Sequence, residues 1–342
     1  MRFIYVRRRR SGHRLWATVL LLALAGGTLA LSAQTTQLRL VSTAWSPFTN
    51  EPGHPRFALD LVEAGLGRIG VKTSTTIVDA ARFTPSLLSG SFDGSAAAWK
   101  DTERERTLLF SQPYLENRLI LVARRGGDVS AASLAGLEGK RIAVVEGYSY
   151  GEAIEQSGPA FVRSPTDEDS LKLLLDGKVD YTLMDELVVQ YIVSHYAEEA
   201  RTRLQVGSTP LVTRQLHLAV RRSLPDADSI ISRFNEQLRG MIADHTYHRL
   251  LHVDWIRADV DGDGLAEYVP QSDRAGAREP TNAYSLFASE PSVMSTPRTQ
   301  QRYLFGGSVY DGWTTVPDKF KVNDPQIPDP NRSTAVIFRF AW

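Results

Sequence analysis

Residues Phe92–Tyr114 read FDGSAAAWKDTERERTLLFSQPY, and the succession of residue types in this stretch decides how the chain is read. Ala96, Ala97 and Ala98 lead to Trp99, a charge-dense run KDTERER follows from Lys100, and the segment closes on Phe110, Ser111, Pro113 and Tyr114. Arg104 stands six residues before Phe110. Its guanidinium is a planar fork whose parallel N–H donors fit a carboxylate, which a lysine cannot reproduce. An arginine in so charged a run is otherwise a solvated residue at a helix end, where an ion pair contributes little.

On either side of this stretch, short apolar strands alternate with amphipathic helices. Strands are expected at Leu38–Ser42, Leu119–Ala123, Arg141–Val145 and Tyr181–Met184, each bounded by glycine, charge or turn residues. Helices are expected at Ala58–Ile69, Asp167–Leu175, Glu186–His195 and Ser229–Ala243. In the last, Ile230, Ile231, Phe234, Leu238 and Ile242 recur at helical spacing, which makes one face core. This order predicts α/β lobes.

The 342 residues, 42% hydrophobic and 23% charged, suffice for two cores and additional segments. Lysine plus arginine and aspartate plus glutamate both number 39, so net charge gives no argument for nucleic acid or an acidic membrane surface. With no cysteine, disulfides, thiolate metal sites and a lipid-modified amino-terminal cysteine are excluded. Arg2, Arg7, Arg8, Arg9, Arg10 and Arg14 precede an apolar run from Leu15 to Leu31. This reads as a signal peptide over residues 1–33, with small residues for cleavage after Ala30 or Ala33; a retained anchor is the alternative. Export to the periplasm is the expectation.

The stretch from Phe92 to Tyr114 resembles the signature of the family 3 periplasmic solute-binding proteins, the amino-acid receptors of ABC importers. Further stretches in the same order are similar to that family: Leu38–Ser42 with Trp45, Pro47 and Phe48; Phe57, Asp60 and Leu61; GKRIAVVEGYSY from Gly139; Gly177, Val179, Asp180 and Asp185; and Asp244, Thr246, Tyr247 and Trp255. The resemblance covers roughly residues 38–256. It implies an α/β, two-lobed, type II periplasmic-binding-protein-like fold with a hinge and a central ligand cleft. Residues 34–115 with 224–256 would form lobe 1 and residues 116–223 lobe 2, with chain crossings near 114–118 and 223–226. Residues 257–342 would be an irregular extension, loosely ordered from about Pro270 to Arg332.

The resemblance also implies site residues. Arg104 would grip a ligand carboxylate, because a buried charge left unpaired costs several kcal/mol. Asp185 would meet a ligand ammonium, or else cap the helix that begins at Glu186. Trp45 would cover the ligand side chain or pack in the core. Gly147, Tyr148 and Ser149 would hold the carboxylate's other edge or form a plain turn, and Trp99 would line the cleft. The chain departs from the pattern in three places. Between Asp93 and Arg104 it is one residue shorter than usual, Ala96–Ala98 stand where hydroxyl residues often help to bind ammonium, and Arg56 replaces the usual glycine before Phe57, so a simple organic acid or another polar solute is the alternative ligand.

The function implied is capture of a small carboxylate-bearing solute, an amino acid first, for an ABC permease in the inner membrane. Rival readings are an accessory or sensory binding protein and, further off, a dehydratase, for which Glu146 is the carboxylate to test. No histidine-serine-acid set is recognisable, so a binding protein rather than an enzyme is expected, with no required cofactor. A separate constellation, Asp259, Asp261, Asp263, Gly264 and Glu267, resembles a calcium loop, with the Leu265 carbonyl at its seventh position. Pro270 stands where an EF-hand has its last glutamate, so a solvated acidic turn is the alternative. Val336, Phe338, Phe340 and Trp342 alternate as in a half-buried strand.

Overall fold

A computed structural model describes residues 37–151, 154, 158–195, 197–290 and 301–322. The leader and the aromatic strand expected at 336–342 lie outside the described residues. No described helix is long and apolar enough to cross a membrane.

The first lobe begins with β1 (Gln37–Thr43), helix α1 (Phe57–Arg68), β2 (Lys72–Val78), helix α2 (Ala80–Leu88) and β3 (Gly94–Trp99). β1 pairs in parallel with both β2 and β3. Leu38 and Leu40 point into the core while Arg39 between them is exposed, the period-two alternation of a half-buried strand. Helix α1 buries Phe57, Leu61, Val62 and Leu66 on one face. Arg56 immediately before it pairs with Asp60 at 2.8 Å and with Glu63, so the residue that replaces the usual glycine fastens the helix start.

After the one-turn helix α3 (Thr102–Glu105) and β4 (Leu108–Phe110), the long strand β5 (Leu115–Arg124) carries the chain into the second lobe. There follow β6 (Arg141–Val145), β7 (Ala160–Ser164), α4 (Asp167–Leu175), β8 (Tyr181–Asp185), α5 (Glu186–His195), α6 (Ala197–Arg203) and β9 (Leu204–Val206). Strand β10 (Val212–Arg221) returns the chain. Leu216 of β10 is opposite Leu115 of β5 on one side and Trp99 of β3 on the other. Strand β10 thus joins the β5 half of the sheet to the β3 half. Helices α7 (Ala227–Ala243) and α8 (Thr246–Leu251) then pack back on α1. A single sheet in the order β2-β1-β3-β10-β5-β8-β6-β7 links the two lobes, with β4 paired to β10 and β9 to β5.

Beyond α8 lies a second sheet: β11 (Trp255–Ala258), β12 (Glu267–Pro270), β13 (Tyr284–Ser285), β14 (Arg302–Phe305) and β15 (Ser308–Asp311), in the order β13-β11-β12-β14-β15. The extension is thus present, but the loose order expected from about Pro270 is replaced, in its described part, by a sheet around buried Tyr303, Phe305, Val316 and Phe320. It is fastened to both lobes. His245 and His248 bond the Pro270 and Val269 carbonyls at 2.7 Å each. Ser289 donates to the buried Glu116 carboxylate, and Arg118 bonds the Ser285 carbonyl at 3.2 Å beneath the Tyr284 ring.

Candidate functional site

A small cavity opens between the lobes. From the first lobe it is lined by Ser42, Thr43 and Trp45 after β1, Phe83 of α2, Ala97 and Trp99 of β3, and Arg104. Tyr148 and Ser149, in the turn after β6, close it from the second lobe, and Leu216 of β10 floors it. Five of the six residues expected to contact ligand (Trp45, Trp99, Arg104, Tyr148 and Ser149) therefore share one cavity wall, and Asp185 does not.

The placement of Arg104 follows from local sequence. Asp101 caps α3 by accepting the Arg104 backbone N–H at 2.8 Å, which turns the arginine side chain inward. Only 2% of Arg104 is exposed, so the solvated reading does not hold. Its Nη1 donates to the Trp99 carbonyl at 2.8 Å and its Nη2 to Thr84 Oγ1 at 2.7 Å, while Nε is 3.4 Å from Asp101 Oδ2 and makes no hydrogen bond. A guanidinium has about five N–H donors. Two are committed, so the fork still has donors for a carboxylate. Burial, and the neighbouring Arg214 guanidinium, lower the Arg104 pKa against the pull of Asp101. An anion here adds to the partial compensation that Asp101 gives this buried charge.

The remaining wall is aromatic. Trp45, Trp99 and Tyr148 meet edge to face, with centroids 5.6–5.8 Å apart. Tyr150 adds a further ring 5.5 Å from Trp99, and its hydroxyl accepts the Val145 N–H. Trp99 is fixed by its indole N–H to Asn117 Oδ1 at 2.7 Å.

Asp185 takes its capping role. Oδ1 accepts the Leu187 N–H at 2.7 Å at the start of α5, and Oδ2 accepts from Asn117 Nδ2 and the Arg118 backbone N–H, each at 3.1 Å. Burial pushes its carboxyl up to about 7, against those hydrogen bonds. A carboxyl that does touch the aromatic wall is Asp167, first residue of α4, which is hydrogen-bonded to Trp45. Desolvation first, then Glu168 and Asp185, raise it to about 8. Sequence reasoning missed it because Thr166 caps α4, with Asp169 N–H donating to its Oγ1 at 3.0 Å, and the acidic first turn reads only as helix punctuation. Glu146 is exposed and outside the cavity wall.

The two lobes touch across the cleft. Ser149 Oγ donates to Asp101 Oδ2 at 2.6 Å, Tyr148 is hydrogen-bonded to Thr43, and Thr84 Oγ1 donates to the Gly147 carbonyl at 3.4 Å. Gly147 (φ 79°) passes so close to α2 that a Cβ would come within 2.7 Å of the Ala80 carbonyl oxygen. With the lobes so apposed, the cavity measures 30 Å³, room for about two waters.

Comparison with known proteins agrees with this architecture. The chain is 26% identical over 223 residues to ABC transporter arginine-binding protein 1 of Escherichia coli, covering 61% of this chain and 86% of that protein. It is 26% identical over 183 residues to the virulence sensor protein BvgS of Bordetella bronchiseptica, which it matches over only 14% of that protein's length. It is also 26% identical over 275 residues to the membrane-bound lytic murein transglycosylase F of Pseudomonas putida, spanning 54% of it. Among solved structures, an ancestral arginine-binding protein bound to arginine superposes with a TM-score of 0.53 at 24% identity, covering 63% of this chain and 96% of that one. The family model for bacterial extracellular solute-binding proteins, family 3, matches residues 41–257, and the chain belongs to that family.

Proposed function

We propose that the protein is a periplasmic receptor that captures an amino acid between its lobes and presents the closed form to an ABC permease. The observation that carries this reading is the buried Arg104 fork, with donors uncommitted, facing an aromatic-walled cavity. The ligand carboxylate sits on Arg104. Its cationic nitrogen sits beside the rings of Trp45, Trp99 and Tyr148, whose π-electrons attract cations, with Asp167 as the counter-charge once its carboxyl ionises. Likeness to the arginine-binding protein supports a ligand with a cationic side chain.

The space between the apposed lobes is small, so the ligand loads as the lobes part and then favours the closed state by its greater affinity for it. The protein binds its ligand and does not transform it. Titration calorimetry with L-arginine, L-lysine, L-glutamine, L-glutamate and simple organic acids tests the proposal. At least one L-amino acid should bind at one per chain and be recovered unchanged; absence of binding by all of them refutes it.

A second reading, a binding module within a sensory or cell-wall system, is favoured by the relatives of those two kinds and by the ordered sheet after Trp255. Retention of the ligand-loaded protein on its cognate permease in detergent separates the two, since only the receptor reading expects it.

A further inference from the structure

The sheet after Trp255 holds an oxygen cluster that is independent of the ligand cleft. The loop between β11 and β12 reads DVDGDGLAE from Asp259 to Glu267. It folds so that one carboxylate oxygen from each of Asp259, Asp261 and Glu267 lies within 4.8 Å of the others. Gly264 (φ 88°) takes the left-handed turn that lets the loop double back.

Acidic turns are common on surfaces, but Glu267 is not on the surface. It is 0% exposed, its Oε2 accepts the Val260 N–H at 2.9 Å, and its Oε1 accepts no hydrogen bond. That oxygen is paired with Arg302 Nη1 at 2.9 Å, and one oxygen of the same carboxylate belongs to the cluster. Arg302, from neighbouring β14, also reaches Asp263 Oδ2 at 2.7 Å and Asp261 Oδ2 at 3.4 Å. Arg239 flanks the loop at Gly262. Three of the loop's carboxylates thus converge on the single Arg302 guanidinium, Asp259 accepts the Gly262 and Gly264 backbone N–H groups, and the deepest carboxylate, Glu267, keeps an oxygen without a hydrogen bond. A guanidinium donates in one plane, whereas a spherical cation accepts oxygens from all sides.

We propose that this loop binds a calcium-class divalent cation through Asp259, Asp261 and Glu267, completed by Asp263 and the Leu265 carbonyl, with Arg302 as the competing internal cation. Hard carboxylate and carbonyl oxygens on a short loop suit calcium better than magnesium, which demands near-ideal octahedral geometry. Because Glu267 lies in β12 and Arg302 opposite it in β14, occupancy ties the loop to the sheet and raises its stability.

The test is calorimetry and thermal unfolding of the purified protein with calcium chloride, with magnesium chloride and chelator as controls. Calcium should give a saturable heat at one per chain and a rise in Tm that chelator reverses. The doubly substituted Asp259→Asn, Asp261→Asn protein, with its fold verified by circular dichroism without calcium, should give neither. Arg302→Gln, which removes the competitor and leaves the ligands in place, should bind calcium more tightly than the wild type. No calcium heat in wild type and Arg302→Gln alike, or a calcium response that survives the double substitution, overturns the assignment.

Discussion

Replacing Arg104 by lysine keeps a positive charge in the cleft wall and removes the planar fork. In the wild type the fork is held by the Trp99 carbonyl and Thr84 Oγ1, with its other donors uncommitted. A bidentate grip on a carboxylate supplies two charge-assisted hydrogen bonds, each contributing about 1.5–3 kcal/mol. Lysine forms one of them at best, so Arg104→Lys should weaken binding by about 1.5–3 kcal/mol, or about ten- to 150-fold in Kd. Alanine forms neither, and Arg104→Ala should weaken it by about 3–6 kcal/mol, or about 10²- to 10⁴-fold. Calorimetry with whichever amino acid binds the wild type most tightly reads both. Urea unfolding of each variant without ligand separates lost affinity from lost fold, since Arg104 also holds Trp99 and Thr84 in place. If Arg104→Ala remains folded and binds as tightly as the wild type, the carboxylate does not sit on Arg104.

Two buried carboxyls behind the cleft should behave differently from each other. Asp167, raised to about 8, keeps in the fold a proton that the unfolded chain releases in the ordinary carboxylate range. Its contribution to stability should therefore fall as pH rises from about 4 to about 8. Asp167→Asn should remove that fall, as read by urea melts across pH, and should flatten the rise in affinity for a cationic ligand as the wild-type carboxyl ionises; matching profiles in both proteins would discard its role. Asp185→Ala deletes three hydrogen bonds, including the cap of α5, and should cost about 2–4 kcal/mol of stability in the same melts. A stable Asp185→Ala protein with abolished binding would instead return that carboxylate to the ligand.

The elements legible in the sequence are those whose signals are local. Strand β6 lies where its apolar run places it, at Arg141–Val145, and α7 follows the spacing of Ile230, Phe234 and Leu238. Arg104 and the aromatic wall were readable because they belong to short motifs with fixed spacing. The second sheet was not. Its strands are two to four residues long, and β11 pairs with β13 across an intervening loop and strand. Proline, serine and glycine recur in the sequence around them, and no periodicity can register in so few residues. Asp185 shows the opposite failure. Its position after an apolar strand suits both a ligand contact and a cap, and Asn117 and the backbone N–H groups of Arg118 and Leu187, which occupy it, are set by tertiary structure.

The family likeness ends at Arg257, yet stability does not divide there. A chain trimmed at that residue would lose the carbonyls that receive His245 and His248, the serine that satisfies Glu116, and the ring and carbonyl over Arg118. Glu116, at 2% exposure, and Arg118, at 8%, sit on the strand along which the chain passes between lobes. Stripping away their partners would wet two charges at the pivot of any opening movement. The stretch that the family shares and the stretch that these contacts bind together are different lengths of chain.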